Sequence, residues 1–247
     1  MSFHVVIPAR LASTRLPRKV LRPIVGRPMI DHVCRAALAS QARSVVVATD
    51  NSEIAEVVRG IGAQAVMTRA EHSCGSDRIA EVIAGDDWTD ETIVVNVQAD
   101  EPMMPPALID QVGEALSHDR DAAIATAATP IDDSHAFNDP NIVKVVAAGG
   151  RALYFSRAPI PYHRDSGNTS FEPLAARHLG IYAYRVAALR RFAATPPGVL
   201  ECHESLEQLR AFDIGLPIAL VDAVALPGPG VDTEADLLEV EHRMRHL

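Results

Sequence analysis

The sequence has no cysteine pairing pattern, no long apolar run, no surplus of positive charge and no glycine fingerprint for nucleotides. Each absence removes a class of protein. The three cysteines, Cys34, Cys74 and Cys202, are odd in number, widely spaced and free of any C-x-x-C pair; neither a disulfide framework nor a zinc site is suggested, and a reducing cytoplasm fits. No apolar stretch approaches the ~20 residues of a membrane span, and no basic start followed by an apolar segment reads as a leader. A cytoplasmic, unprocessed chain with no membrane partner is expected. The formal net charge of -9 disfavours binding to nucleic acid, where affinity rests on many Lys and Arg contacts. Neither G-x-x-x-x-G-K-[ST] nor G-x-G-x-x-G occurs, so no glycine nest is available to hold phosphate. Repeats, linkers and low-complexity segments are missing too.

What is present is a chain of 247 residues, 48% of them hydrophobic, long enough for a large core and expected to form one domain over residues 1–247. Its first stretch, His4-Val5-Val6-Ile7, reads as a buried parallel strand ended by Pro8, which cannot donate to a sheet ladder. Arg10, Arg15, Arg18 and Lys19 follow within ten residues, among small and hydroxyl side chains. A cationic loop leaving the carboxyl end of a first strand lies where open α/β sheets bind anions. Phosphate held by side-chain cations is the reading this favours over solvated surface charge.

Strands and helices then alternate. A helix opens at Arg27-Pro28, a strand covers 44–50, and Asn51 or Ser52 caps a helix through Arg59. Asp50 reads as a strand-end or capping residue. Further strands are expected over 63–67, 92–97 and 122–129, with helices over 77–84 and 106–116 between them. The strand at 92–97 ends in Asp100 and Glu101, opposite the cations of the first strand. That placement suggests a metal bridging the two, with Asp100 as ligand, while a capping acid ahead of Pro105 is an equal alternative.

The pattern changes at Asn141–Ala148 and Ala152–Phe155, joined by Gly149-Gly150 as an antiparallel hairpin. Pro159 to Ser170 is polar and turn-rich, a loop expected to be mobile and able to close over a substrate. Residues 177–184 alternate as a strand with His178, Gly180 and Tyr182 on one face. A helix is expected over Cys202–Arg210, a strand over 217–221, and a last helix capped by Asp232 or Thr233.

Several blocks together resemble one family. Ile7-Pro8-Ala9-Arg10 through Ser13-Thr14-Arg15-Leu16-Pro17 and Lys19 is similar to the signature loop of the sugar-nucleotide cytidylyltransferases, specifically the 3-deoxy-manno-octulosonate cytidylyltransferases (CMP-Kdo synthetases). Asn96–Pro102, Tyr154–Arg157, Arg177–Tyr182, Leu206–Arg210 and Pro227–Thr233 match in the same order. Arg18 and Ala99 depart from it, standing where the family usually has glycine.

The resemblance implies an α/β fold with a Rossmann-like, mostly parallel twisted sheet of nucleotidyltransferase type and an antiparallel subdomain. It implies transfer of CMP from CTP to the anomeric hydroxyl of 3-deoxy-D-manno-octulosonate (Kdo) for lipopolysaccharide biosynthesis, with Mg²⁺ as cofactor and a homodimeric assembly. The antiparallel segment 141–155, whose strands would leave an open edge, is the expected dimer surface. By the same resemblance Arg10, Arg15, Lys19 and Asp100 are catalytic, and Ala9, Leu11, Ser73, Gly75 and Arg78 join them in binding nucleotide. Gln98, Arg157, Arg164, His178, Tyr182, Glu207 and Gln208 surround the acceptor, and Asp100 with Asp232 holds Mg²⁺. A second Mg²⁺ beside the acceptor would remove the need for a protein base. The alternatives are a cytidylyltransferase for another acidic sugar, such as 8-amino-Kdo or a sialic acid, and an inactive nucleotide-binding regulator to which the changes at Arg18 and Ala99 would point.

Overall fold

The computed structural model describes residues 2–72, 74–164 and 175–246. Strand β1 (Phe3–Ala9) leads through the cationic loop to a 3-10 turn, η1 (Lys19–Leu21), and a small ribbon of β2 (Pro23–Ile24) and β3 (Arg27–Pro28) before α1 (Met29–Leu38). Three strand–helix units follow: β4 (Ser44–Thr49) with α2 (Ser52–Ile61), β5 (Gln64–Met67) with α3 (Gly75–Ala84), and β6 (Ile93–Asn96) with α4 (Pro106–His118). The second half holds β7 (Ile124–Pro130), α5 (Ser134–Asn138), the hairpin β8 (Lys144–Ala148) and β9 (Arg151–Ser156), the long β10 (Ala176–Arg185) and α6 (Val186–Ala193). It closes with α7 (Val199–Glu204), η2 (Glu207–Leu209), α8 (Arg210–Asp213), β11 (Ile218–Asp222) and α9 (Glu234–Met244).

The main sheet runs β5-β4-β1-β6-β10-β7-β11-β9-β8. β5, β4, β1 and β6 are mutually parallel, as are β7 and β11, whereas β10 is antiparallel to both β6 and β7. The sheet is therefore mixed, with its parallel half at the amino-terminal end. Side-chain alternation divides the core between its two faces. Val5, Ile7, Val45, Val47 and Val95 pack against α1, α2 and α4, while Val6, Val46 and Val94 pack against Ile79 and Ile83 of α3 and Phe192 of α6. Burial on both faces is why these strands read as unbroken apolar runs.

Pro8 does not end β1, which continues to Ala9. Val6 O accepts from Val97 N on the β6 side, and Pro8, two residues on, faces the same side after the β6 register has stopped at Val6–Asn96. Its missing N–H thus falls where there is no partner to serve, while β4 continues to pair through Ala9–Thr49.

The antiparallel part closes on itself, because β8 pairs with β10 as well as with β9, giving the ring β10–β7–β11–β9–β8–β10. The edge expected to be open in the segment 141–155 is thereby taken up at Lys144 and Val145. A bulge between His178 and Tyr182 lets β10 change neighbours from β8 to β6. Gly180 sits in it with φ of +71°, a left-handed conformation that favours glycine. The simple alternation expected over 177–184 is broken there.

The helix expected over Cys202–Arg210 is also interrupted. Ser205 adopts φ of 51° and ends α7, and the chain resumes as η2 and α8. The turn-rich stretch 159–170 is described only through Arg164, so the rest of the expected closing loop lies outside the described residues.

Candidate active site

The cationic loop, the end of β6, the start of α3 and the segment before α9 enclose a cavity of about 280 Å³. Ala9 is buried beneath it and Leu11 packs against the core below the sheet, so these two fix the loop's root. Leu16 is the loop's anchor. It is buried with Ile24, Met29, Val231, Leu237 and Val240 in a separate apolar cluster. That cluster draws the loop and the segment carrying Asp232 together across more than two hundred residues of sequence. Val231 N also donates to Asp100 O at 2.9 Å, tying the same segment to the end of β6.

Two acids and a lysine meet where these segments converge. Lys19 Nζ donates to Asp100 Oδ2 at 2.7 Å and to Asp232 Oδ1 at 3.0 Å, and Arg15 lies 3.0 Å from Asp232 Oδ1. Burial acts to lower the Lys19 pKa, but the two carboxylates outweigh it and hold the pKa above its ordinary value. Arg10 lines the cavity, is exposed and has no acidic partner among the described residues. Neither acid caps a helix. Pro105 precedes α4 without a side-chain cap, and Thr233 caps α9 in a capping box with Asp236. Of the two residues expected to compete for that cap, Thr233 takes it and leaves Asp232 to face Lys19.

Two carboxylates converging on one cationic group form a donor set that suits Mg²⁺, which binds through one or two carboxylates and completes its shell with phosphate oxygens and water. Arg18 does not join the cavity wall. Its backbone is left-handed at φ of 58°, and its guanidinium pairs with Glu53 on the surface. A left-handed residue at this point is the physical reason glycine suits it. Ala99 is buried in the wall.

The start of α3 forms another side. At Gly75 an added Cβ would meet Pro8 Cγ at 3.1 Å, so the small residue allows the helix start to approach β1. Arg78 lines the cavity but is almost wholly buried, with its guanidinium donating to Asp50 Oδ2 at 3.0 Å and to Thr68. Asp50 is therefore an ion-pair partner of Arg78, and Asn51 supplies the cap of α2. Ser73 lies outside the described residues. Pro8, Thr14, His72 and Cys74 also line the cavity, though none of them is among the site residues expected from the sequence. His72 is bonded to Glu81. Its place in a polar loop before a helix gives only weak warning of this.

Of the expected acceptor residues, Gln98 lines the cavity, and Tyr182, His178, Glu207 and Gln208 lie on the neighbouring stretch of β10 and η2. Glu207 Oε2 accepts from Ser76 Oγ at 3.2 Å, which connects this region to α3. The Tyr182 hydroxyl, Glu207 Oε1, Asn96 Oδ1 and Glu101 Oε2 are buried without a hydrogen-bond partner among the described residues. Buried polar atoms are normally satisfied, so a group of four calls for a ligand or water. Tyr182 and Asn96 are register partners on adjacent strands, which puts their side chains on the same face of the sheet. Burial, with the Asp100 charge adding to it, raises the Glu101 pKa to about 8. Burial lowers that of His178 to about 3, where the imidazole is neutral and bonds Thr126 Oγ1 at 3.0 Å. Arg157 is turned to backbone, donating to the carbonyls of Glu204, Pro140 and Ser205. Arg164 is exposed at the last described turn before residue 165.

A family model described as cytidylyltransferase matches residues 4–218. The chain is 51% identical over 249 residues to the 3-deoxy-manno-octulosonate cytidylyltransferase of Thioalkalivibrio sulfidiphilus, covering 99% of this chain and 100% of that one. It is 52% identical to the protein of the same name from Cellvibrio japonicus, over 98% and 97% of the two chains. A solved structure of CMP:2-keto-3-deoxy-manno-octonic acid synthetase complexed with CTP superposes with a TM-score of 0.91 at 40% identity, covering 100% of this chain and 99% of that one. A cytidylyltransferase from Leptospira borgpetersenii shares the fold at a TM-score of 0.67 and 14% identity, over 100% and 88% of the two chains. With half its residues shared along the full length of such relatives, this chain belongs to the cytidylyltransferase family, among the 3-deoxy-manno-octulosonate cytidylyltransferases.

Proposed function

We propose that the protein transfers the cytidylyl group of CTP to the anomeric hydroxyl of Kdo, releasing pyrophosphate and giving CMP-Kdo for lipopolysaccharide biosynthesis. The observation that carries the nucleotide half of this reading is the meeting of Lys19, Arg15, Asp100 and Asp232 at one end of the cavity. The unpartnered buried atoms of Tyr182, Glu207 and Asn96 support a polar, many-hydroxyl acceptor beside it.

The reaction forms a bond from the acceptor oxygen to the α-phosphorus and breaks the bond to the bridging oxygen, with pyrophosphate as leaving group and the hydroxyl proton passing to solvent. Arg10 and Arg15 reach the triphosphate from the open side of the loop. Lys19 keeps its proton and supplies fixed positive charge where negative charge builds on the phosphates. Asp100 and Asp232 would hold Mg²⁺, which when bound neutralises phosphate oxygens and polarises the phosphorus. Gly75 and Arg78 bound the nucleoside side of the cavity, and the Asp50 carboxylate keeps the Arg78 guanidinium from swinging out. His178, neutral and half-buried, can orient an acceptor but contributes no charge to it. Gln98 stands between the two halves, and Arg157, Arg164 and Gln208 complete the acceptor's surroundings in this reading.

No helix among the described residues is long and apolar enough to cross a membrane. We place the protein in the cytoplasm, where CTP is available, as a homodimer; sedimentation showing only monomer at micromolar concentration would refute the dimer. The functional test is pyrophosphate release from a panel of nucleotides and acid sugars. Release with CTP and Kdo, dependent on Mg²⁺, is expected. Release only with UTP and a sugar phosphate, or faster turnover of a sialic acid, would overturn the assignment.

A further inference from the structure

Lys144 is a lysine with no exposed surface and, among the described residues, no carboxylate bonded to its ammonium. Its three N–H donors go instead to three backbone carbonyls: Asp139 O at 2.8 Å, Ile142 O at 2.6 Å and Arg157 O at 2.7 Å. Three donors on three acceptors satisfy the ammonium completely. Hydrogen bonds from a charged donor are stronger than neutral ones, and removal of the donor would take this partner from the Ile142 and Arg157 carbonyls, while Asp139 O keeps Ile142 N.

The carbonyls come from the two sides of the β8–β9 hairpin, the loop after α5 and the end of β9. Arg157 extends the junction to a third. Its guanidinium donates to Pro140 O at 2.9 Å, back into the first segment, and to Glu204 O at 2.7 Å in α7. The Glu204 carboxylate returns the contact, accepting from Arg157 N at 2.9 Å and from Ser156 Oγ at 2.6 Å. Lys144 therefore stands at the centre of a joint between three segments, each of which continues into the acceptor side of the site. Val143 O, one residue before Lys144, accepts from His178 N at 2.9 Å. Beyond Glu204 the left-handed Ser205 turns the chain into η2, where Glu207 Oε1 has no hydrogen-bond partner among the described residues and lies 3.7 Å from the Arg210 guanidinium.

We propose that Lys144 is a positioning residue for acceptor binding, setting through its three carbonyl bonds the spacing between the strand that carries His178 and the turn that carries Glu207. It touches neither substrate. The nucleotide cavity is built from β1, β6, α3 and the segment before α9, none of which bonds to Lys144. Loss of the ammonium should loosen one half of the site and leave the other intact.

This inference rests on the cytidylyl-transfer reading, and the experiment separates the two. Wild-type turnover with CTP and Kdo is measured first; its absence counts against the functional reading itself. In Lys144→Met, which keeps the stem and removes all three donors, the KM for Kdo should rise about tenfold or more while the KM for CTP stays within about twofold, since misplacing a binding group by about an ångström suffices for such losses. A residue that only supported the fold would lower the melting temperature and shift both constants together, or neither, and that result overturns the proposal. Glu204→Ala, which breaks the carboxylate bonds to Ser156 and Arg157, gives the same test should Lys144→Met not fold. It should show the same acceptor-selective rise, and unchanged Kdo kinetics in a folded Glu204→Ala protein would overturn the proposal as well.

Discussion

Val231 N donates to Asp100 O at 2.9 Å, and this one backbone bond holds the end of β6 against the segment before α9. Each partner lies within one residue of the paired acids, so the bond sets how far apart the carboxylates of Asp100 and Asp232 stand. The Lys19 ammonium fits between them.

Because neither acid caps a helix, their replacement by asparagine should spare stability and remove activity. Asp100→Asn and Asp232→Asn are each expected to lose on the order of 10²-fold or more in turnover, the scale of a lost charge-stabilising contact. The double variant should lose much less than the product of the two, since both groups act on one cation. Pyrophosphate release together with thermal melting checks this; near-normal turnover in Asp232→Asn would restrict the metal site to Asp100.

Arg18 occupies a left-handed position with only an exposed ion pair to Glu53 in compensation. Exposed pairs contribute about 0–1 kcal/mol, and a non-glycine residue in this region costs roughly 1–2 kcal/mol. Glycine there relieves the strain but adds freedom to the unfolded chain, about 0.4–1 kcal/mol. Arg18→Gly should therefore stay within about 1 kcal/mol of the parent stability and keep turnover within about twofold. A β-branched Arg18→Val should be clearly destabilised. Urea titrations of both variants discriminate; a large activity gain in Arg18→Gly would mean that the arginine impairs the loop.

His178 is half-buried, and desolvation of its ring disfavours the charged form and lowers its pKa to about 3. Between about pH 6.5 and pH 3 the unfolded chain binds a proton there that the folded chain does not, so stability must fall as pH drops through that window. The slope from this group approaches, at most, about 1.4 kcal/mol per pH unit. Carboxylates titrate in the same range, so the observable is the difference from His178→Gln. That variant should lose less stability between pH 7 and pH 4.5 than the parent. Parallel denaturation midpoints for the two proteins would exclude a neutral histidine.

Arg210 and Glu201 form a two-bond pair, both buried, at 2.8 and 2.5 Å. Removal of one partner strands a buried charge, which typically costs about 3–5 kcal/mol. Glu201→Ala should thus be among the most destabilising single changes outside the apolar core. Replacing the pair together by apolar residues of similar volume should recover much of the loss. Chemical denaturation of the single and double variants tests this, and a loss under about 1 kcal/mol in Glu201→Ala would show the pair to be solvated.

The sequence by itself determined the order of strands and helices, because buried strands such as Val5–Ile7 and Val45–Val47 carry their apolar character in consecutive residues. It also determined the cationic loop, since Arg10, Arg15 and Lys19 are close in the chain and follow a recognisable strand. Local signals failed where a neighbour decided the outcome. Pro8 stays in β1 because β6 has stopped pairing beside it, and β10 bends at Gly180 because it must serve two partners. Whether Asp232 or Thr233 caps α9 could not be read from two adjacent capping residues; the tertiary structure decided it, by drawing Asp232 onto Lys19 through the packing of Leu16 with Val231. The same holds for Arg78 with Asp50 and for Arg157 with Glu204, whose partners are distant in sequence. A residue's propensity is local, whereas the partner that satisfies a buried charge is supplied by whichever segment the fold brings within 3 Å of it.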